Sequence, residues 1–312
     1  MRNLNLTDVG KSDIKYEISK FPDGQQQVKI LPFEFIYYPE GSTYFSTGSS
    51  NFRISKEISI LIQARLNNFK DLELIICATK SLRELGIKKI HLYTPYFLGS
   101  RSDRKFEEGS NNYLKDVICP IINSLKFDSV TVLDPHSDVL EACLNNFKKA
   151  LDTNVKLIQF SLSNINNFPS SIMDSKKFIL ISPDAGANKK IFKLADQIGY
   201  AGDIITCSKS RDTEGKLTKT VVPWNYDVHR TKDIIIIDDI CDGGATFINI
   251  AKAIKSLNHT GKIYLIVTHG IFSKGFVELN KYFDGIYCTN SYRDVADNEY
   301  DQKTNVKQLN VF

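Results

Sequence analysis

Residues 234–246 read Ile-Ile-Ile-Ile-Asp-Asp-Ile-Cys-Asp-Gly-Gly-Ala-Thr. Four apolar β-branched residues predict a buried strand that ends in two adjacent carboxylates, Asp238 and Asp239. Asp242, Gly243, Gly244, Ala245 and Thr246 then form a small-residue turn into a helix. Glycines there let backbone N–H groups approach an anion closely, and the helix start adds the positive end of its dipole. Paired carboxylates at such a mouth suit the hydroxyls of a ribose ring and, directly or through water, Mg²⁺. The plainer alternative is a turn with N-capping aspartates. Capping needs one Asp, however, and this array holds three with two glycines and a threonine.

Other polar residues fall at similar places. Phe178-Ile-Leu-Ile-Ser-Pro-Asp184-Ala-Gly186 and Ser129-Val-Thr-Val-Leu-Asp134-Pro-His136 each put polar groups just beyond a buried strand. Such strand ends are where metal or phosphate contacts gather; alone, His136 reads equally as a satisfied loop histidine. His91-Leu-Tyr-Thr-Pro95-Tyr96 leads into Arg101-Ser-Asp103-Arg104, whose arginines could clamp phosphate oxygens or form a surface ion pair. Phe21-Pro-Asp23-Gly24-Gln25 passes as an ordinary turn. Residues 208–220 carry three lysines and an arginine and read as a mobile loop.

The elements positioning these groups alternate. Strands are predicted at 58–62, 89–94, 129–133, 178–182, 234–237 and 263–268, with helices at 71–85, 113–125, 189–198 and 246–257. Alternation of this kind predicts parallel sheets with crossover helices, an α/β fold. A chain of 312 residues is long for one core. The Asn- and Ser-rich stretch 154–177 suggests a junction, giving domains 1–155 and 156–312.

Composition narrows the partners. Forty basic against 36 acidic residues leave a net charge of +4, with no Lys/Arg stripe interleaved with aromatics, so nucleic acid is not expected. Six scattered cysteines contain no CxxC pair, which argues against zinc and for free thiols in a reducing compartment. No apolar signal core or membrane-length stretch is evident, and a soluble cytoplasmic protein is expected.

Taken in order, Phe-x-Asp-Gly, Pro-Tyr with Arg-x-Asp-Arg, Asp-x-His, Ser-Pro-Asp-x-Gly, Lys209-Ser-Arg211, the Asp238-to-Thr246 array and Thr268-His269-Gly270-Ile271-Phe272-Ser273 resemble phosphoribosyl-pyrophosphate synthetase. Each motif is weak alone, but the ordered set spans residues 20–289. The resemblance implies two phosphoribosyltransferase-type domains, each a mainly parallel sheet flanked by helices, assembled as homodimers or homohexamers. The first domain would be the ATP side and the second the ribose-phosphate side. It implies transfer of the β,γ-diphosphate of ATP to the 1-hydroxyl of ribose 5-phosphate, with Mg²⁺ as cofactor. By position, Lys209 and Arg211 would be catalytic, and Arg101, Asp103 and Arg104 would bind ATP. Phe21, Asp23 and Gln25 would meet adenine from a neighbouring subunit, and His136 and Asp184 would serve Mg²⁺. Asp238 and Asp239 would face the ribose hydroxyls, and 242–246 would hold the 5-phosphate.

The chain departs from the family pattern at Gln25, where Glu is usual, at Ser102, where Gln is usual, and at Gly243 and Ala245, where Thr and Gly are usual. Gly243 is either neutral drift or an opened far wall admitting a larger group, such as the diphosphate of ADP-ribose. Two rivals remain: a phosphoribosyltransferase, which needs no ATP clamp, and a non-catalytic regulatory subunit, which need not keep Lys209, Arg211, Asp238 and Asp239.

Overall fold

The computed structural model of the chain describes residues 1–31, 58–150, 152–166, 174–211, 217–295 and 305–312. These form two compact units, Met1–Ala150 with Phe312, and Leu151–Val311.

The first unit contains β1 (Arg2–Asn5), β2 (Tyr16–Lys20), β3 (Gln26–Ile30), β4 (Ser59–Gln63), α1 (Phe69–Glu84), β5 (Lys89–Tyr93), α2 (Cys119–Ser124), β6 (Ser129–Val132), α3 (Val139–Cys143) and β7 (Phe147–Lys149). Its main sheet runs β1-β4-β5-β6-β7, every pair parallel, while β2 and β3 form a separate antiparallel hairpin. Helix α1 starts where sequence chemistry demands. The Asn68 side chain accepts from the amides of Lys70 and Asp71, satisfying two donors that have no partner within the helix. The helix expected at 113–125 begins instead as a π-helical turn, Leu114–Ile118, before continuing as α2. Pro120 explains the widening, because it has no N–H for the Asp116 carbonyl and its ring crowds that carbonyl.

The second unit contains α4 (Thr153–Asn166), β8 (Phe178–Ser182), α5 (Asn188–Gln197), β9 (Ile204–Thr206), β10 (Ser208–Arg211), β11 (Leu217–Val221), α6 (Tyr226–His229), β12 (Asp233–Cys241), α7 (Ala245–Ser256), β13 (Ile263–Gly270), α8 (Val277–Asn280), β14 (Gly285–Thr289) and β15 (Val306–Leu309). Its sheet is parallel throughout in the order β15-β14-β13-β12-β8-β9. Alternation along β12 feeds two cores. Ile234 and Ile236 pack with Phe247, Ile250 and Ile254 of α7. Ile235 and Ile237 face the other way, onto Leu157, Ile158 and Leu162 of α4 and Ile191 of α5. Each such isoleucine contributes about 1.5–3 kcal/mol of burial.

The unit boundary falls just before the expected 155, and part of the expected junction is a core helix. In α4 the Ser161 and Ser163 hydroxyls and the Asn164 amide donate to the carbonyls of Leu157, Gln159 and Phe160, four residues back. Polar side chains that normally favour turns are thereby satisfied inside the helix. Residues 167–173 of the same stretch lie outside the described residues.

Candidate active site at the carboxyl ends of β8 and β12

From β8 the chain goes to β9 on one side, then crosses to β12 on the other. That reversal of strand order opens a crevice at the carboxyl ends of β8 and β12, where open α/β sheets bind ligands. Asp184 follows β8, and Asp238, Asp239 and the 242–246 turn end β12. The structure therefore brings together one half of the residues singled out from sequence.

The Asp238 and Asp239 carboxyls stay close enough to act on each other. Asp239, 5% exposed, lies on the α5 face, where its Oδ2 pairs with Lys190 Nζ at 3.4 Å. Asp238 is partly buried, and its Oδ1 accepts the Asp239 amide at 2.9 Å. Burial pushes the Asp238 carboxyl well above the usual carboxylate range, the Asp239 carboxylate adds to this, and Asp184 contributes further. Asp184 is held in place by its Oδ1, which accepts from the amides of Gly186 (3.1 Å) and Ala187 (3.2 Å). Lys190 was missed by sequence reasoning, although a signal existed. A lysine in the first turn of a helix opposes the helix dipole, so something else must hold it there.

Gly244 caps α7 at φ 77, and a β-carbon on it would lie 2.9 Å from Leu279 Cδ2. Both backbone and packing therefore require glycine. Gly244→Ala is expected to cost about 1–3 kcal/mol in a denaturant melt, from positive φ and a displaced leucine together. An unchanged midpoint would show that the turn relaxes freely.

Gly243 lies beside Lys274, which bears on the opened-wall expectation. A β-carbon there would meet the side chain of Lys274, 3.2 Å from Cδ and 3.3 Å from Cε. The space released by the missing side chain is filled by a lysine stem. Ala245 is exposed and Thr246 partly buried at the start of α7.

The expected loop 208–220 is also corrected. Lys209 and Arg211 lie on β10, paired antiparallel with β11, Lys209 opposite Thr220 and Arg211 opposite Leu217, with a register shift after Ser210. Residues 212–216 are outside the described set. Thr218, Thr220 and Val221 are β-branched and suit a ladder; counting lysines hid them.

The other candidates belong to the first unit. Phe21, Asp23 and Gln25 sit exposed at the tip of the β2–β3 hairpin, where Gly24 at φ 91 makes the turn and the Phe21 amide donates to the Gln25 carbonyl at 2.9 Å. Beyond the carboxyl end of β5, Arg101 and Arg104 are exposed and Asp103 partly buried. The Ser102 amide donates to the Gly99 carbonyl (2.8 Å), the Asn112 side chain donates to the Asp103 carbonyl (2.6 Å), and the Arg104 guanidinium lies 5.3 Å from the Phe106 ring centroid. His136 is exposed past the carboxyl end of β6, beyond Asp134, which is 4% exposed and held at φ 31. His136 and Asp184 fall in different units. Among the described residues no group of three or more His, Cys, Asp or Glu side chains is arranged to hold a metal ion. All six cysteines are free, and no helix of the described residues is long and apolar enough to cross a membrane.

Fold and site together define a two-unit α/β protein of phosphoribosyltransferase type, with a carboxylate pair and a glycine turn at the switch point of its second sheet. No family model matches the chain. Ribose-phosphate pyrophosphokinase of Pyrococcus furiosus is 27% identical over 283 residues, covering 88% of this chain and 85% of that protein. The Thermococcus kodakarensis protein of the same name is 25% identical over 289 residues, covering 92% and 89%. Ribose-phosphate pyrophosphokinase 3 of Saccharomyces cerevisiae is 28% identical over 259 residues, covering 81% and 75%. The crystal structure of phosphoribosylpyrophosphate synthetase from Mycobacterium smegmatis superposes with a TM-score of 0.72 at 14% identity, covering 99% of this chain and 95% of that one, and shares the fold. The chain is thus similar over most of its length to ribose-phosphate pyrophosphokinases, which are diphosphotransferases.

Proposed function

We propose that the protein transfers the β,γ-diphosphate of ATP to the 1-hydroxyl of ribose 5-phosphate and releases AMP. The observation that carries this is the conjunction of Asp238, Asp239 and the amide-lined turn 242–246 at the switch-point crevice, in a chain similar over most of its length to ribose-phosphate pyrophosphokinases. In the reaction the 1-hydroxyl oxygen bonds to the β-phosphorus as the bond from that phosphorus to the α–β bridging oxygen breaks. AMP leaves with that oxygen, and the hydroxyl proton goes to solvent.

Transfer of this kind needs positioning and charge stabilisation more than covalent chemistry. Asp238 and Asp239 orient the ribose through its hydroxyls, and the 242–246 amides hold its 5-phosphate. Lys209 and Arg211 bring positive charge to the transferred group. Arg101, Asp103 and Arg104 hold the ATP phosphates, and the exposed tip with Phe21, Asp23 and Gln25 meets adenine across a dimer or hexamer contact.

Asp184, with its carboxylate fixed by two amides in the second unit, would contact Mg²⁺ there, and His136 would serve as a metal contact of the first unit. Asp239 and Asp184 both act electrostatically on the Asp238 carboxyl, and sparse protein ligation is usual for Mg²⁺ bound with phosphates. When bound, the ion neutralises charge on the ATP phosphates.

Purified protein incubated with ATP, Mg²⁺ and ribose 5-phosphate is expected to release AMP and form the 1-diphosphate, with much weaker turnover on ADP-ribose. Preferential turnover of ADP-ribose would replace the acceptor assignment. No AMP release with either sugar would reject the enzymatic reading.

A further inference from the structure

Beyond β13 the chain makes a tight turn, residues 271–275, fastened to the end of β12. The amides of Ile271 and Phe272 both donate to the Cys241 carbonyl, at 2.9 and 3.2 Å. Phe272 is buried at φ 51, with its ring 4.9 Å from that of Phe276. Gly275, at φ 67, donates its amide to the Phe272 carbonyl at 3.0 Å. Lys274 therefore stands on a fixed platform beside the 242–246 turn.

Its stem crosses Gly243, with Cγ, Cδ and Cε lying 3.5, 3.2 and 3.3 Å from where a β-carbon would be. The ammonium is one bond beyond Cε. Lys274 is exposed, and among the described residues its ammonium forms no hydrogen bond or ion pair. A cation tethered along a glycine turn at a helix start serves no evident packing purpose. It adds charge where amides alone offer only partial dipoles.

We propose that Lys274 is a binding and specificity residue for the 5-phosphoryl group, acting as a pair with Gly243. Glycine leaves the room through which the lysine stem passes, and the ammonium contacts the phosphate held by the turn. This rests on the reading of 242–246 as the 5-phosphate site and deepens it. The acceptor's end group is a dianionic phosphate monoester, because the lysine both closes the wall that a diester would have to pass and rewards the second negative charge.

The test measures ribose 5-phosphate in two ways: steady-state AMP release at saturating ATP and Mg²⁺, and calorimetric titration of the protein without ATP. Lys274→Met keeps the stem and removes the charge. It is expected to raise both KM and Kd for ribose 5-phosphate roughly 10–100-fold, the scale of a lost charge-assisted contact, with kcat, the KM for ATP and the melting temperature nearly unchanged. Lys274→Arg should restore most of the affinity. Gly243→Thr should weaken ribose 5-phosphate in the wild-type background, where the new side chain collides with the stem, and should cost less with Lys274→Ala. If Lys274→Met binds ribose 5-phosphate as tightly as wild type, the assignment is overturned. The two readings separate cleanly. A wild-type protein that binds ribose 5-phosphate in a Lys274-dependent way but releases no AMP upholds this inference and rejects the proposed reaction. One that turns over normally after Lys274→Met does the reverse, and one that does not bind ribose 5-phosphate overturns both.

Discussion

Lys209→Ala is expected to lower kcat for AMP release by roughly 10²–10³-fold, the loss seen when a key electrostatic donor is removed from a transition state. The placement of β10 supports so large an effect. The Cys207 amide donates to the Ser182 carbonyl at 2.9 Å, and the Thr206 hydroxyl bonds the Asn188 side chain at 2.8 Å. The root of the β10–β11 hairpin is thus tied to the end of β8, two residues before Asp184. Cys207 is itself buried, as is Val222 just past the end of β11. Lys209 stands two residues beyond that anchor on the β10 ladder, so its backbone is tied to the end of β8. On the proposed reaction, a cation there would act on charge that develops during transfer. ATP affinity, measured by calorimetry, should change by less than about tenfold, since ground-state phosphates keep their other partners. Near-normal turnover in this variant would show that the hairpin is not the catalytic element.

Most of the second sheet was legible because its signals are local. Four isoleucines in a row followed by carboxylates can hardly be anything other than a buried strand reaching a polar edge, and β12 extends that run to Cys241. Helices α1, α5 and α7 lie within a few residues of their expected bounds because their apolar spacing fits one face. The failures also have local causes. Helix α4 was read as linker because Ser161, Ser163 and Asn164 look like turn residues until their bonds to carbonyls four residues back are known. The β10–β11 hairpin was read as loop because lysines outweighed β-branched residues in the same stretch.

At the site, residue types were legible and their partners were not. Asp239 could be nominated from its position, but its ion pair with Lys190 joins two elements that are far apart in sequence. Gly243 was recognised as unusual, yet whether its missing side chain meant open space depended on a residue on another turn. The lysine stem against it is a tertiary fact with no local signature. Local pattern therefore identified which strand ends matter, while the electrostatic balance of the crevice required the packed structure.

Asp238→Asn is expected to stabilise the ligand-free protein at neutral pH while weakening ribose 5-phosphate. The folded protein holds the Asp238 proton more tightly than the unfolded chain, because burial and the Asp239 carboxylate raise its pKa well above the ordinary value of about 3.9. A group shifted upward contributes stability that is fully present below the unfolded pKa and is lost as pH rises through the folded pKa. Asparagine removes that loss, and its side-chain oxygen can still accept the Asp239 amide. In metal-free buffer at pH 7–8, the variant should melt about 2–4 °C above wild type, the shift expected for roughly 1 kcal/mol in a protein of this size. The gap should close as pH falls below about 4, where the wild-type carboxyl becomes protonated in the unfolded chain as well as in the folded one. Activity should move the other way. The KM for ribose 5-phosphate should rise roughly 10-fold or more, because a charged acceptor of the ribose hydroxyls has become a neutral amide. Such opposition between stability and activity is the mark of a group kept for its ligand. If Asp238→Asn instead melts below wild type at pH 7 and binds ribose 5-phosphate normally, the carboxyl is structural and the β12 end is not the ribose site.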